Sequence, residues 1–531
     1  MTVNKKSPSL AGIAGIVAVA TLVSKVFGLV REQIVAAAFG VGDVINAYAY
    51  AYVIPGFLLI LLGGINGPFH SALVSALAKR SKAEAAPIVE TVTTLVTLGL
   101  FLVTLATIAF AGTFIDLLGP DLAPDVRSLA ILQLQIMAPV AMLAGLIGIG
   151  FGALNAADSY LLPSISPLLS SITVTISIAF LLWRVGEQLD TPQYLQLGAI
   201  VLASATLAGA ILQWLAQLIA TWKSGMGTLR LRFNWRIPGV MDVLKVMAPA
   251  TMSSGMLQIN VYTDLFFASG IAGAAAAMRF ANFIALTPLG IISNVILVPF
   301  LPVFSRLAAP ENWQELKLRI RQGLFISALT MLPFTAIFIS LALPIVKLIY
   351  QRAEFNASDT NFVAPLLAVY GLGMFFYLGR DVLVRVFYAL GDGETPFKIS
   401  IINIFLNAVF DYFLVKAFAA PGLVLATISV NVTSMAIFLW ILHRRLGGLP
   451  LLDWGKNLFF LVIASAIAGL SSWGVSQVLE RAIGNDNLLL LFLELGISTL
   501  VALGVFILIA MQLKLPELHM IAGRIRQKIG R

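Results

Sequence analysis

Residues 10–40 read LAGIAGIVAVATLVSKVFGLVREQIVAAAFG. Only Lys25, Arg31 and Glu32 are charged, and the run exceeds the about 20 apolar residues that carry a helix across a bilayer. It follows Lys5 and Lys6, is too long for a secretory signal, and has no small-residue cleavage site before a polar mature start. It therefore reads as the first span of a membrane protein. Thirteen more runs of this kind lie near 44–78, 87–118, 126–155, 160–184, 193–222, 243–269, 271–305, 323–350, 361–390, 397–417, 421–442, 457–479 and 487–513. The composition agrees: 59% of the 531 residues are apolar and 11% are charged, against roughly 25% charged in a soluble domain. Mean hydropathy is +0.96, more apolar surface than a water-soluble fold can cover. Without cysteine there are no disulfides, thiolate metal sites or cysteine nucleophile. The three histidines, His70, His443 and His519, are too far apart in sequence to suggest a zinc site.

The net charge of +9 follows membrane orientation rather than nucleic-acid binding. One set of connections carries Lys5/Lys6, Lys79/Arg80/Lys82, Lys223/Arg230/Arg232/Arg236, Arg306/Lys317/Arg319/Arg321, Lys398, Arg444/Arg445/Lys456 and a basic tail from Lys514. The alternate set carries Asp43, Asp121/Asp125, Glu187/Asp190, Glu354/Asp359 and Asp486. An even number of spans with both termini in the cytoplasm satisfies this alternation. Three basic stretches look interfacial: Thr228–Pro238; Glu311–Gln322, with Trp313, Leu316 and Ile320 on one face; and the tail after Pro516. For the first, an ordinary basic loop is an equal alternative.

The fold expected is an all-α polytopic membrane protein of about fourteen transmembrane helices. Residues 1–224 form an N-terminal lobe of six spans, 225–445 a C-terminal lobe of six, and 446–531 two extra spans with a basic tail. An even lobe of six makes any repeat parallel, about an axis along the membrane normal. Polar groups at membrane depth then mark function. Lys25 and Glu32 share a face of span 1, with Arg31 roughly 120° round. Arg279 stands alone in span 8, and Arg380, Asp381 and Arg385 group in span 10, where Asp381 and Arg385 are spaced as a pair. His70 follows a Gly63-Gly64…Gly67-Pro68 break and reads as a satisfied polar residue. Span 7 has Gln258, Asn260, Thr263 and Asp264; span 11 has Asn403, Asn407 and Asp411; span 12 has Thr427, Ser429 and Asn431. These supply oxygen ligands only, which suits Na⁺ or a proton at Asp264, Asn407, Asp411 and Thr427. Interhelical hydrogen bonding is the alternative. No Walker sequence, G-x-S-x-G or H-E-x-x-H occurs, so a non-enzymatic transporter driven by a gradient or potential is expected, with no other cofactor.

Three strings resemble the MurJ (MviN) family. SKVFGLVREQIVAAAFG (24–40) resembles its first helix, S-R-x-x-G-x-x-R-[DE] ending in F-G. YQRAEFNASDT (350–360) resembles [FY]-Q-R-G-x-F-x-x-x-D-T, and RVFYALGDGETPFKISI (385–401) resembles F-Y-A-x-x-D-x-x-T-P-x-K-I. The similarity covers nearly the whole chain. It implies a lipid II flippase of the MOP exporter superfamily, which moves the undecaprenyl-pyrophosphate-linked peptidoglycan precursor from the inner to the outer leaflet by alternating access. It further implies a bacterial inner-membrane location, two lobes round a cationic cavity, and a lipid-tail groove on helices 13 and 14. Lipid II and membrane lipids are then the partners, with no nucleic acid, and a monomer is expected. In that groove Ala464, Ser465, Ala468, Gly469, Gly496, Ser498 and Gly504 would be the small residues. The substrate-binding residues carried over are Lys25, Arg31, Glu32, Asn46 and Arg279.

The chain departs from the family pattern. Lys25 replaces an arginine, Asn46 an acid, and the basic pair of helix 2 is missing from IPGFLLILLGG. The usual helix 8 arginine aligns with Phe283, one turn after Arg279. A diphosphate brings about two negative charges that guanidinium groups pair bidentately, which assigns the pyrophosphate to Arg31 and Arg279 with Lys25. Some family members carry a sodium site, and the Asn407-x-x-x-Asp411 spacing matches it. Export of another polyprenyl-linked glycan or amphiphile is the competing reading. A membrane-embedded glycosyl or polyprenyl transferase would need acidic metal-binding motifs in aqueous loops, which are absent.

Overall fold

The computed structural model describes residues 10–64, 68–77, 80–245, 247, 259–484 and 487–518. Lys5, Lys6, Gly67, Lys79, Gln258, Asp486, His519 and the tail beyond it lie outside the described residues. The described chain is a succession of helices. In order they are α1 (Leu10–Phe39), α2 (Asp43–Gly63), α3 (Pro68–Leu77), α4 (Lys82–Ala109), α5 (Ala111–Leu118), α6 (Pro124–Met137), α7 (Val140–Ala156), α8 (Leu161–Ile165), α9 (Pro167–Val185) and α10 (Pro192–Ser224). Then come α11 (Ile259–Ala268), α12 (Ala274–Arg306), α13 (Trp313–Ser340), α14 (Ala342–Tyr350), α15 (Ala357–Ala389), α16 (Glu394–Phe418), α17 (Ala420–Arg445), α18 (Leu451–Ile483) and α19 (Leu488–Gln512). Among the described residues, twelve segments are long and apolar enough to cross a membrane. They coincide with twelve of the fourteen runs read from sequence. The other two runs are 10–40, which is the helix α1, and 243–269, much of which lies outside the described residues. In lipid a helix is the natural outcome, because no water is available to satisfy an open backbone.

Polar side chains set several helix starts. The Ser81 N–H donates to Glu84 Oε2 at 3.0 Å, closing a capping box on α4. Asn356 Oδ1 accepts the N–H groups of Ser358 and Asp359 at 2.7 and 3.2 Å and starts α15. Asn487 Oδ1 accepts the Leu489 N–H at 3.0 Å ahead of α19. α2 stops at Gly63 and α3 resumes at Pro68, which is where the glycine-proline break was read.

The chain falls into two compact units: Met1–Ala276 with Arg352–Phe355, and Ala277–Gln351 with Asn356–Arg531. The first unit thus extends past the 224/225 boundary expected from the basic linker. Residues 225–245 and 259–276 join the first unit through specific bonds: Thr228 and Arg232 to Glu90 of α4, and the Tyr50 hydroxyl to the Leu265 carbonyl at 3.1 Å. In the first unit α7 is the hub, packing on α2, α3, α4 and α10. Every residue from Val140 to Leu154 except Met142 is buried. Gly148 is what lets α2 come so close, since a Cβ there would lie 1.9 Å from the Leu62 carbonyl oxygen. α1 packs on α8 and α9, and α11 on α5.

In the second unit α15 packs between α13 and α17, α16 packs on α17, and α18 packs on both α13 and α19. The α16–α17 connection is tight: Ala419 has φ 53°, and a Cβ on Gly422 would lie 2.2 Å from the Leu414 carbonyl oxygen. Ala464, Ser465 and Ala468 are buried, and Ser465 Oγ donates to the Leu332 carbonyl of α13 at 2.7 Å. Gly469 lies against Ala336 of the same helix. These small residues serve the close helix approach that their size predicts. Gly496 and Gly504 have open space where a Cβ would be. The Glu311–Gln322 stretch differs from its interfacial reading, because Leu316 and Ile320 are fully buried in the protein. Of the tail, Glu517 is described, 3.6 Å from Arg321 of α13.

Candidate functional site

The first group of polar residues lies on α1. Arg31 Nε and Nη2 both donate to Glu32 Oε1, at 3.2 and 2.7 Å. Glu32 is buried, whereas the Arg31 side chain keeps 28% of its surface and Lys25 is exposed. Lys25 and Glu32, which share a face of α1, do not pair. Seven residues is about 10.5 Å along a helix axis, too far for an ion pair, while the neighbouring guanidinium folds sideways onto the carboxylate. Two cationic heads thus point outward from a helix whose acid is turned in. Among the described residues Lys25 makes no ion pair within 4 Å.

Asn46 near the start of α2 is buried, and its Oδ1 accepts the Ala276 N–H at 3.3 Å. That N–H belongs to the first turn of α12, whose donors have no partner within their own helix. Arg279, one turn on, is half-buried and falls in the second unit. His70 is satisfied on one side only: the Asn155 amide of α7 donates to its Nε2 at 2.7 Å, while its Nδ1 is buried without a hydrogen-bond partner among the described residues.

The second group lies on α16, whose buried positions are Pro396, Ile399, Asn403, Asn407 and Asp411. The side chain of Asn407 donates to Asp411 Oδ2 at 2.7 Å. Asn403 Oδ1 accepts from Ser434 Oγ of α17 at 2.8 Å, which makes that end of the stripe an interhelical clamp. Thr427 on α17 is half-buried and donates to the Leu423 carbonyl at 3.3 Å, and Asn431 Nδ2 donates to the Thr427 carbonyl at 2.7 Å. Asp264 is half-buried on α11 in the first unit. The donor chemistry at Asn407, Asp411 and Thr427 suits a hard cation. To ligate one, the Asn407 amide would turn its oxygen, not its nitrogen, toward Asp411.

In α15 Asp381 lies 3.4 Å from Arg380, its neighbour, rather than pairing with Arg385 as read. Two of the three family strings form bonded turns. Asp392 accepts the Thr395 N–H at 2.9 Å and its hydroxyl at 2.8 Å, and Arg445 Nη1 donates to Asp392 Oδ2 at 2.7 Å. Burial raises that carboxyl, but these three donors outweigh it and hold it below the ordinary carboxylate range. In the other string Ala353 has φ 48°, where the family pattern has glycine, and the Glu354 N–H donates to the Ala37 carbonyl at 3.1 Å.

Among the described residues, two buried acids inside the membrane spans are not singled out by the sequence pattern. Glu90 of α4 accepts from the Thr228 N–H and hydroxyl and from Arg232 Nε. Glu494 of α19 is buried with Ser476 Oγ 2.5 Å from its Oε1. Each is a single ionisable residue inside an apolar run, and that was the available signal.

Many apolar helices with charged and polar side chains on their interior faces define a multi-pass helical membrane protein. Comparison with known proteins narrows the class. The model of a family described as "Lipid II flippase MurJ" matches residues 35–493. A Synechocystis sp. protein named "Probable lipid II flippase MurJ" is 62% identical over 528 residues, 99% of each chain. "Lipid II flippase MurJ" of Burkholderia cenocepacia is 28% identical over 85% of this chain and 88% of its own. Among solved structures, "Lipid II flippase MurJ, inward closed conformation" superposes with a TM-score of 0.74 at 22% identity, over 94% of this chain and 99% of that one. An inward-facing multidrug resistance MATE transporter of the MOP superfamily gives a TM-score of 0.59 at 15% identity, over 81% of this chain and 98% of that one, a likeness of fold alone. The chain belongs to the MurJ family of lipid II flippases.

Proposed function

We propose that this protein flips lipid II across the bacterial inner membrane by alternating access, as a transporter and not an enzyme, acting as a monomer with both termini in the cytoplasm. The observation that carries this reading is full-length identity of 62% to a protein named as a probable lipid II flippase. The chemistry of α1 supports it. A diphosphate needs cations that reach out of the protein wall, and Arg31 and Lys25 are the outward ends of that helix while Glu32 balances them from the buried side. Arg279, one helical turn before the position where the family has its arginine, is a further cation for the diphosphate. Asn46 supports the site at one remove, through the backbone of α12. Na⁺ or a proton binds at Asp411 with Asn407 and Thr427, with Asp264 retained from the sequence reading, and biases the transport cycle. The lipid tail runs along α18 and α19, where Gly496 and Gly504 leave open space.

The test is to deplete the resident flippase of a host cell, express this chain, and measure lipid II accessible at the outer leaflet. Restored accessibility is expected. Full membrane insertion with no restored lipid II would overturn the assignment, and restored export of a different polyprenyl-linked glycan would replace it.

A further inference from the structure

Residues 228–236, TLRLRFNWR, connect α10 to the segment that follows, and they form no regular helix or strand. Two residues point inward. Thr228 gives its N–H and hydroxyl to Glu90 Oε1 at 3.0 and 2.8 Å, and Arg232 Nε donates to Glu90 Oε2 at 2.5 Å. The Arg232 N–H also donates to Thr94 Oγ1 at 3.1 Å. Glu90 is only 5% exposed, so lifting this connection would strand a buried carboxylate, which is strongly destabilising. The connection is thus a strap clipped to α4. Yet its large apolar side chains are turned away from the protein: Leu229, Leu231, Phe233 and Trp235 are between 56% and 80% exposed. Arg230 and Arg236 stand exposed among them, and the Arg236 guanidinium lies 5.9 Å from the Trp235 ring.

We propose that the strap is a fixed anchor on a bilayer surface rich in acidic headgroups. Four apolar side chains held outward on a pinned backbone are unfavourable in water. They fit the boundary where acyl chains meet headgroups, which is also where tryptophan is enriched. The two arginines between them complement anionic lipid. The strap begins four residues after a membrane-spanning helix ends, so chain connectivity keeps it near that boundary. The clip on Glu90 ties its depth to helix α4.

The chain has no cysteine, so one introduced cysteine carries a label without background. Leu231→Cys and Trp235→Cys, in the full chain, are labelled with an environment-sensitive fluorophore. The protein is reconstituted in phosphatidylcholine vesicles with or without phosphatidylglycerol. Asp242→Cys, at a side chain 72% exposed, is the aqueous control. Labels at 231 and 235 should be several-fold less quenched by iodide than the label at 242, and least quenched with phosphatidylglycerol. Replacing Arg230 and Arg236 by glutamine should abolish the difference between the two lipids. Quenching equal to the control overturns the anchor. Shielding indifferent to acidic lipid overturns its charge preference. Shielding that appears only at high protein-to-lipid ratio assigns the strap to a second copy instead.

Discussion

Arg31 and Glu32 illustrate how a charge is made tolerable inside a membrane helix: the acid is buried, the guanidinium bridges to it with two donors, and its outer edge stays accessible. If that edge takes the pyrophosphate, Arg31→Ala and Arg279→Ala should each fail to complement a flippase-depleted strain while reaching the membrane at normal levels. Lys25→Arg should complement, since it restores the family residue. Normal growth of both alanine variants would end this assignment. Ala353 is a different case, a non-glycine residue at φ 48°. A left-handed backbone is strained for any residue with a Cβ, so Ala353→Gly should stabilise the protein by about 1 kcal/mol, less the extra freedom glycine gives the unfolded chain. An unchanged or lower melting temperature would show that the turn bears no strain. Asp392 makes a prediction about pH. Its carboxyl is held below its unfolded value of about 3.9, so its contribution is complete above about pH 4 and is lost as the pH falls through the lower folded value. The melting temperature of the wild type should drop on acidification through that window, and Asp392→Asn should flatten the drop.

At the scale of elements, close approach is decided by residues that lack a side chain. α7 is read in sequence as one more apolar span, but its glycines face neighbours on several sides. Gly148→Ala would place a methyl against the Leu62 carbonyl, with backbone on both sides of the clash. A loss of about 3 kcal/mol is expected, at the upper end for overpacking. Gly504→Ala, with nothing within 4 Å, should change stability by no more than about 0.5 kcal/mol. Thermal unfolding of the two variants in one detergent checks the contrast, and equal melting temperatures would refute it. The polar stripe of α16 behaves in the opposite way. Its four-residue spacing is legible in sequence because positions i, i+4 and i+8 stay on one face. That Asn403 is the member that clamps is not legible, because it depends on Ser434 arriving from α17 beside it.

For the whole molecule, the cation proposal is tested by stability. Purified protein should melt at a higher temperature in sodium than in choline at equal ionic strength, and Asp411→Ala should remove the difference. Equal melting in both salts would leave the stripe as a proton site or as interhelical bonding. The sequence by itself determined that this is a polytopic helical membrane protein, roughly where its spans run, and which family it belongs to. Those properties are written in local quantities: the length of apolar runs, the alternation of loop charge, and short strings such as FYALGDGETPFKI. Only the tertiary structure decided the pairings. It gave Glu32 to Arg31, Asp381 to Arg380 rather than Arg385, and Asn46 to the backbone of α12. It also bonded residues 228 and 232 to Glu90, in a helix more than a hundred positions earlier in the chain. The reason is physical. Burial in lipid is a property of a segment and shows in its composition, whereas a buried charge takes whichever partner the packing brings within about 4 Å, and distance in space is not written in spacing along the chain.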